Sequence, residues 1–328
     1  MTVSKLGCSN RLVVILGIAV VALALASFTF GPIGARLFGI QTPHELQVSK
    51  PHVSLPSEAM FHIGDFKITN TLISSWITII LLCTLFYFAT RKMKDVPGRL
   101  QGLAEVVVDG IYNTIQGVSG EKYVKTFFPV VTTIFLYVVT NALLALVPLW
   151  GTWGPIEEIQ EGSHTATVIV PFLRAANTDI NLTLSIALIS FFFVEYLGFS
   201  KIGALNYINS FFHFKELGKA LGELFKGNFK AFISGFAFGF INMYVGLLEL
   251  LSHLIRIISF TFRLFGNMTA GEILIGVMTF LVALIVPSIF YGFETLFGLL
   301  QALIFAGLTL VFGLMAVTPQ HEEGAEEH

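Results

Sequence analysis

The sequence predicts an all-α polytopic membrane protein with about five to six membrane helices, and three observations carry that expectation. Of 328 residues, 55% are hydrophobic and only 12% are charged, about half the charged share of an average globular chain. Mean hydropathy is +0.79. Several apolar runs reach the roughly 20 residues needed to cross a hydrocarbon core of about 30 Å. In that medium a helix satisfies every backbone group within one segment.

Residues 1–30 contain the run "LVVILGIAVVALALASFTF" (12–30) behind Lys5 and Arg11. Its length suits an N-terminal transmembrane anchor, and "ALALAS" (22–27) offers the small-x-small pattern of a signal peptide. Both readings stand. Residues 31–70 hold Pro32, Pro43, Pro51 and Pro56 and read as an irregular extracytoplasmic segment. A transmembrane helix over 71–90 stops at "RKMK" (91–94), a basic border of the cytoplasmic kind.

From 97 to 125, Leu100, Leu103, Val107 and Ile111 alternate with Glu105, Asp109, Glu121 and Lys122, which predicts an interfacial amphipathic helix. Transmembrane helices at 127–149 and 180–199 flank an acidic loop with Glu157, Glu158 and Glu161. The stretch 201–230 carries Lys201, Lys215, Lys219, Lys226 and Lys230 and no aspartate, as a cytoplasmic basic loop does. Residues 231–316 form a long, strongly tilted C-terminal helical hairpin. Its two apolar runs, 231–265 and 273–316, join around "GNMTAGE", and each exceeds the bilayer thickness and must tilt. Residues 317–328 are a cytoplasmic acidic tail.

Several function classes fall away. Net charge is −2 and no basic run suits nucleic acid. Cys8 and Cys83 are isolated, and the chain has no P-loop, dinucleotide glycine fingerprint or HExxH pair. No cofactor, metal or catalytic centre of its own is expected.

The hairpin instead keeps charges where lipid should forbid them. Between Ala231 and Thr318 the only formal charges are Glu249, Arg256, Arg263, Glu272 and Glu294, and His253 is the only histidine. A charge at bilayer depth costs about 2.5 to 17 kcal/mol, so these residues have a purpose. Glu249, Arg256 and Arg263 recur every seven residues and share one helix face, with His253 one turn from Glu249 and Asn267 one turn beyond Arg263. Nine residues place Glu272 about 180° from Arg263 on a continuous helix. Glu294 and Gln301 are again seven apart, and an antiparallel hairpin brings them to the Glu272 and Asn267 side.

The strings "LLSHLIRIISFTFRLFGNMTAGE" (250–272) and "LFGLLQALIFAGLTLV" (296–311) resemble subunit a of the F-type ATP synthases. "ANTDINLTLSIAL" (176–188) and "TNALLALVP" (140–148) are similar to further segments of that family. The resemblance implies two long tilted helices cupping a ring of c subunits and two offset half-channels for protons. Carried over, Arg263 is the essential stator arginine. Asn267, Glu272, Glu294 and Gln301 line one half-channel. Glu249 lies near the cytoplasmic exit, and His253, Arg256, Asn141, Arg174, Asp179 and Asn181 support these paths. Some relatives have histidine at the Glu294 position, so here Glu272 and Glu294 are expected to share a proton as paired carboxylates.

The implied partners are the c-ring, the b or peripheral-stalk subunits and the lipid bilayer, with no nucleic acid. The implied location is a bacterial plasma membrane with the C-terminus cytoplasmic. The alternative function is an ion-coupled secondary transporter, which would carry an internal repeat with interrupted helices; the charges instead gather in one hairpin.

Overall fold

A computed structural model describes residues 6–30, 32, 39, 54–147, 154–161, 164–203, 229–282 and 285–318. Six helices dominate: α1 (Leu6–Phe30), α2 (Asn70–Thr90), α3 (Arg99–Ala145), α4 (Ile180–Ile202), α5 (Phe229–Leu281) and α6 (Ile285–Val317). Among the described residues, α2 to α6 are each long and apolar enough to cross a membrane. The chain is an all-α polytopic membrane protein. Apolar side chains on these helices stand exposed, among them Ile80, Phe192 and Tyr196, as expected where the surrounding solvent is lipid.

Two small antiparallel hairpins interrupt the helical order, where irregular loops were expected. Strands β1 (Ala59–Ile63) and β2 (Phe66–Thr69) pair with Ile63 opposite Phe66. The two residues between them are Gly64 and Asp65, and Gly64 has φ 63°, the left-handed value that tight hairpin turns require. Strands β3 (Ile156–Glu161) and β4 (His164–Ile169) pair in unbroken register from Ile156↔Ile169 to Glu161↔His164.

The expected segments 97–125 and 127–149 fall on one helical stretch, α3, broken at Gly120 (φ 72°, ψ 169°). The expected join of the last two apolar runs needs correcting. Helix α5 runs unbroken through Gly266 and Gly271 to Leu281, so "GNMTAGE" is helical and the next helix begins only at Ile285. Each glycine costs a helix about 1 kcal/mol relative to alanine, too little to break 53 residues of it. Residues 1–5, 31, 33–38, 40–53, 148–149, 204–228, 283–284 and 319–328 of the expected segments lie outside the described residues.

The chain forms two compact units. The first draws on Met1–Trp76, Asn141–Asp179 and Gly266–Leu300, and the second on Ile77–Thr140, Ile180–Phe265 and Gln301–His328. Within the first, α6 approaches α3 closely: a methyl on Gly298 would come to 2.7 Å from Cβ of Ala142. Within the second, a core forms from Ile115, Val124, Phe127 and Val131 of α3, Leu197 of α4 and Ala306, Leu310 and Val317 of α6. Phe127 meets Phe193 edge to face at 6.1 Å and fills the space beside Gly313. Phe260 of α5 packs on Phe305 of α6 at 4.9 Å.

Candidate functional site

The residues singled out by sequence divide between the two units. In the first, the polypeptide between β4 and α4 is buried although it is polar: Arg174, Asn177, Thr178 and Asp179 are all inaccessible. A 3₁₀ turn over Ala176–Thr178 closes with Thr178 Oγ1 donating to Ala175 O at 2.7 Å and Asp179 N donating to Ala176 O at 3.1 Å. The start of α2 is tied to this segment. Thr71 Oγ1 donates to Asp179 Oδ2 at 2.8 Å, and Asn70 Nδ2 donates to Pro171 O at 3.2 Å. Asn70 Oδ1 accepts from Thr71 N at 2.9 Å.

These contacts hold Arg174 in place. Its Nε donates to both oxygens of Glu272, at 3.1 and 3.0 Å, and its Nη1 donates to Pro56 O at 3.3 Å. Arg174 is 7% exposed and Glu272 43%, so the pair has a buried cation and a half-open carboxylate. Screening at the open side limits its net stabilisation to about 1 kcal/mol.

Glu294 lies against the bare backbone of Gly271, where a methyl group would overlap its carboxylate. It is half-buried and makes no hydrogen bond or ion pair among the described residues. Two carboxylates thus flank one turn of α5 with unequal surroundings: Glu272 has an arginine, and Glu294 has none. Asn267, also in this unit, is half-buried, and Asn141 is 1% exposed.

The second unit contains Arg263. It is exposed on α5, its Nη2 lies 3.4 Å from Ser259 Oγ, and its guanidinium carbon is 5.9 Å from the centroid of Phe260. Among the described residues no carboxylate lies within ion-pair reach of it. Arg256 instead stacks on Phe312, 3.6 Å from the ring centroid. Glu249 is half-buried, and Asn181 is exposed in the first turn of α4. Gln301 is 6% exposed, and its Nε2 has no hydrogen-bond partner among the described residues.

His253 has a partner that was not among the expected residues. Its Nδ1 lies 2.7 Å from Oε1 of Glu195 on α4. Glu195 was legible as a lone carboxylate inside the apolar run "FFFVEYLGF" (191–199), the kind of intramembrane charge that signals a function.

A family model described as ATP synthase A chain matches residues 72–313, most of the chain. The chain belongs to the ATP synthase A chain family. It is similar to ATP synthase subunit a of Aliarcobacter butzleri, 30% identical over 235 residues that cover 72% of this chain and 83% of the relative. It is also similar to ATP synthase subunit a of Helicobacter hepaticus, 29% identical over 245 residues, 74% of this chain and 88% of the relative. ATP synthase subunit a 2 of a Bradyrhizobium species is 28% identical over 258 residues, 79% of this chain and 93% of the relative. The matched region contains Arg174, Glu195, His253, Arg263, Glu272, Glu294 and Gln301. As a member of the ATP synthase A chain family, the protein is an ion-translocating membrane component of an ATP synthase assembly and not an enzyme by itself.

Proposed function

We propose that this chain is the proton-conducting stator of its ATP synthase, with Arg263 as the fixed charge past which the carboxylates of a c-subunit ring move. The observation that carries this reading is the state of Arg263: it is exposed on a membrane-length helix, and no described carboxylate of its own chain reaches it. Family membership supports the same reading. A guanidinium keeps its charge where a lysine would tend to lose it. A carboxylate arriving from a partner subunit is therefore favoured in its ionised form beside Arg263 and releases its proton there. The same fixed cation repels a proton attempting to pass directly between the two access paths.

Glu272, Glu294, Asn267 and Gln301 serve one access path, and Glu249, His253, Arg256, Asn141, Asp179 and Asn181 support the two paths. The unequal surroundings divide the labour between the two carboxylates. Glu272 is held by Arg174, and Glu294, which has no such partner among the described residues, is the group that takes up and releases the proton. The chain sits in a bacterial plasma membrane with its C-terminus in the cytoplasm and contacts the c-ring and the peripheral stalk. The basic borders at 91–94 and 201–230 support that orientation.

The test is ATP-driven proton pumping and ATP synthesis in membranes whose complex carries Arg263→Ala. Both are expected to be lost while the complex assembles. Near-normal coupling in that variant overturns the proposal.

A further inference from the structure

Glu195 and His253 are the one carboxylate–imidazole pair among the described residues; Glu195 has no part in the reading above, and His253 enters it only as a supporting residue. The pair joins α4 to α5 with Oε1 and Nδ1 2.7 Å apart, and the two side chains are 15% and 14% exposed. Beside the pair, on the residues before Glu195 in α4 and in the turns after His253 in α5, a small cavity opens between α4, α5 and α6, lined by Ser190, Val194, Arg256, Ile257, Phe260 and Phe312. Ser190 shares a hydrogen bond of 2.7 Å with Thr309 at this cavity. Phe260 on its wall is the ring beside Arg263. His253 and Arg263 are ten residues apart on one helix, about 15 Å along its axis.

We propose that Glu195 and His253 form a proton-exchanging pair that serves the path to Arg263 through this cavity. The proposal rests on the stator reading and assigns a further proton-transfer group to it. The chemistry needs only the two side chains and water. When Oε1–H of Glu195 breaks, Nδ1–H of His253 forms, leaving a carboxylate and an imidazolium. The imidazolium then releases its Nε2 proton to water, water on the other side of the pair reprotonates Glu195, and proton exchange between Nδ1 and Nε2 through water restores the starting tautomer; opposite flow reverses these steps.

The charged surroundings suit such an exchange. On α5 the neighbouring groups are Glu249, one turn before His253, and Arg256, three residues after it. The stretch of α6 in this unit carries no titratable side chain. On α3, Glu121, Lys122 and Lys125 are exposed, and Tyr123 packs beside the core that includes Leu197. Arg256 is drawn over the Phe312 ring, and its fixed positive charge at the cavity opposes a proton lingering beyond the pair.

The experiment uses the assembled ATP synthase in membrane vesicles and measures ATP-driven pumping, together with passive proton conductance after removal of the soluble catalytic sector. Glu195→Gln keeps size and hydrogen bonding but cannot exchange the proton. It is expected to lower conductance about a hundredfold, the low end of what a positioned acid–base group contributes. Glu195→Asp is expected to stay close to wild type. The exchanged variant Glu195→His with His253→Glu retains both groups and is expected to conduct. Wild-type conductance in an assembled Glu195→Gln complex overturns the proposal. If Glu195→Gln fails to accumulate, the exchanged variant decides: conduction supports the pair, and an assembled complex without conduction overturns it. Coupled pumping that survives Arg263→Ala defeats the stator reading itself, whereas loss there with wild-type conductance in Glu195→Gln defeats only the pair.

Discussion

Arg174 and Glu272, 98 residues apart in sequence, meet through one guanidinium nitrogen that donates to both carboxylate oxygens. The cation is buried and the carboxylate is half-exposed, so removing the two partners has unequal consequences. Arg174→Leu leaves Glu272 able to find water, but Glu272→Leu strands a buried guanidinium. A double-mutant cycle read by thermal unfolding of the solubilised complex should give a coupling of about 1 kcal/mol, with Glu272→Leu the more destabilising single change. The reverse order would contradict the assigned burial.

Gly271 and Glu294 make a steric pair. A methyl at residue 271 overlaps the carboxylate, which is the mobile end of a flexible side chain. Gly271→Ala should therefore cost less than about 1 kcal/mol in stability, since alanine is the better helix former, while proton conductance falls because Glu294 is displaced. Adding Glu294→Asp, one methylene shorter, should recover part of that conductance. Unchanged conductance in the single variant would show that the position of the Glu294 carboxylate is not critical.

Thr71 and Asp179 predict a stability effect. The hydroxyl donates to a buried carboxylate at 2.8 Å. Thr71→Val preserves shape and removes the donor, so it should destabilise by about 1–3 kcal/mol, visible as a lower melting temperature and less subunit in the membrane. Thr71→Ser should behave like wild type.

Gln301 predicts opposite signs for stability and transport. Its buried Nε2 has no described partner, a cost of about 1–3 kcal/mol that an apolar side chain of similar size would remove. Gln301→Met should leave stability equal or raised, yet slow proton conduction if the amide serves the path. Equal conduction would reduce Gln301 to a packing residue.

How much of this was legible follows from the range of each interaction. The spans were readable because about 20 apolar residues suffice to define one, and α2 at Asn70–Thr90 lies within a residue of its expected bounds. The β1–β2 hairpin was hidden by the neighbouring prolines, although "HIGDFK" (62–67) contains a two-residue turn sequence between its strands. The join expected at "GNMTAGE" followed the dip in apolar character between the two runs, and a helix of 53 residues carries that polar stretch without a break. The pairings Arg174–Glu272 and His253–Glu195 depend on which helix faces meet. Helical periodicity reveals a face without naming what packs on it. Glu195 stands alone in its apolar run (191–199), outside the hairpin that carries the other intramembrane charges, so no spacing ties it to them.

The exposed guanidinium of Arg263 has a consequence for biogenesis. A subunit inserted before its partners keeps an uncompensated charge on a membrane-length helix, at a cost of about 2.5 kcal/mol or more. Assembly relieves that cost, so orphan copies should be the unstable ones. In cells lacking the c subunit, the wild-type chain should be degraded faster than Arg263→Ala, and restoring the c subunit should remove the difference. The residue that disciplines proton flow in the finished motor would then also mark unassembled copies for quality control.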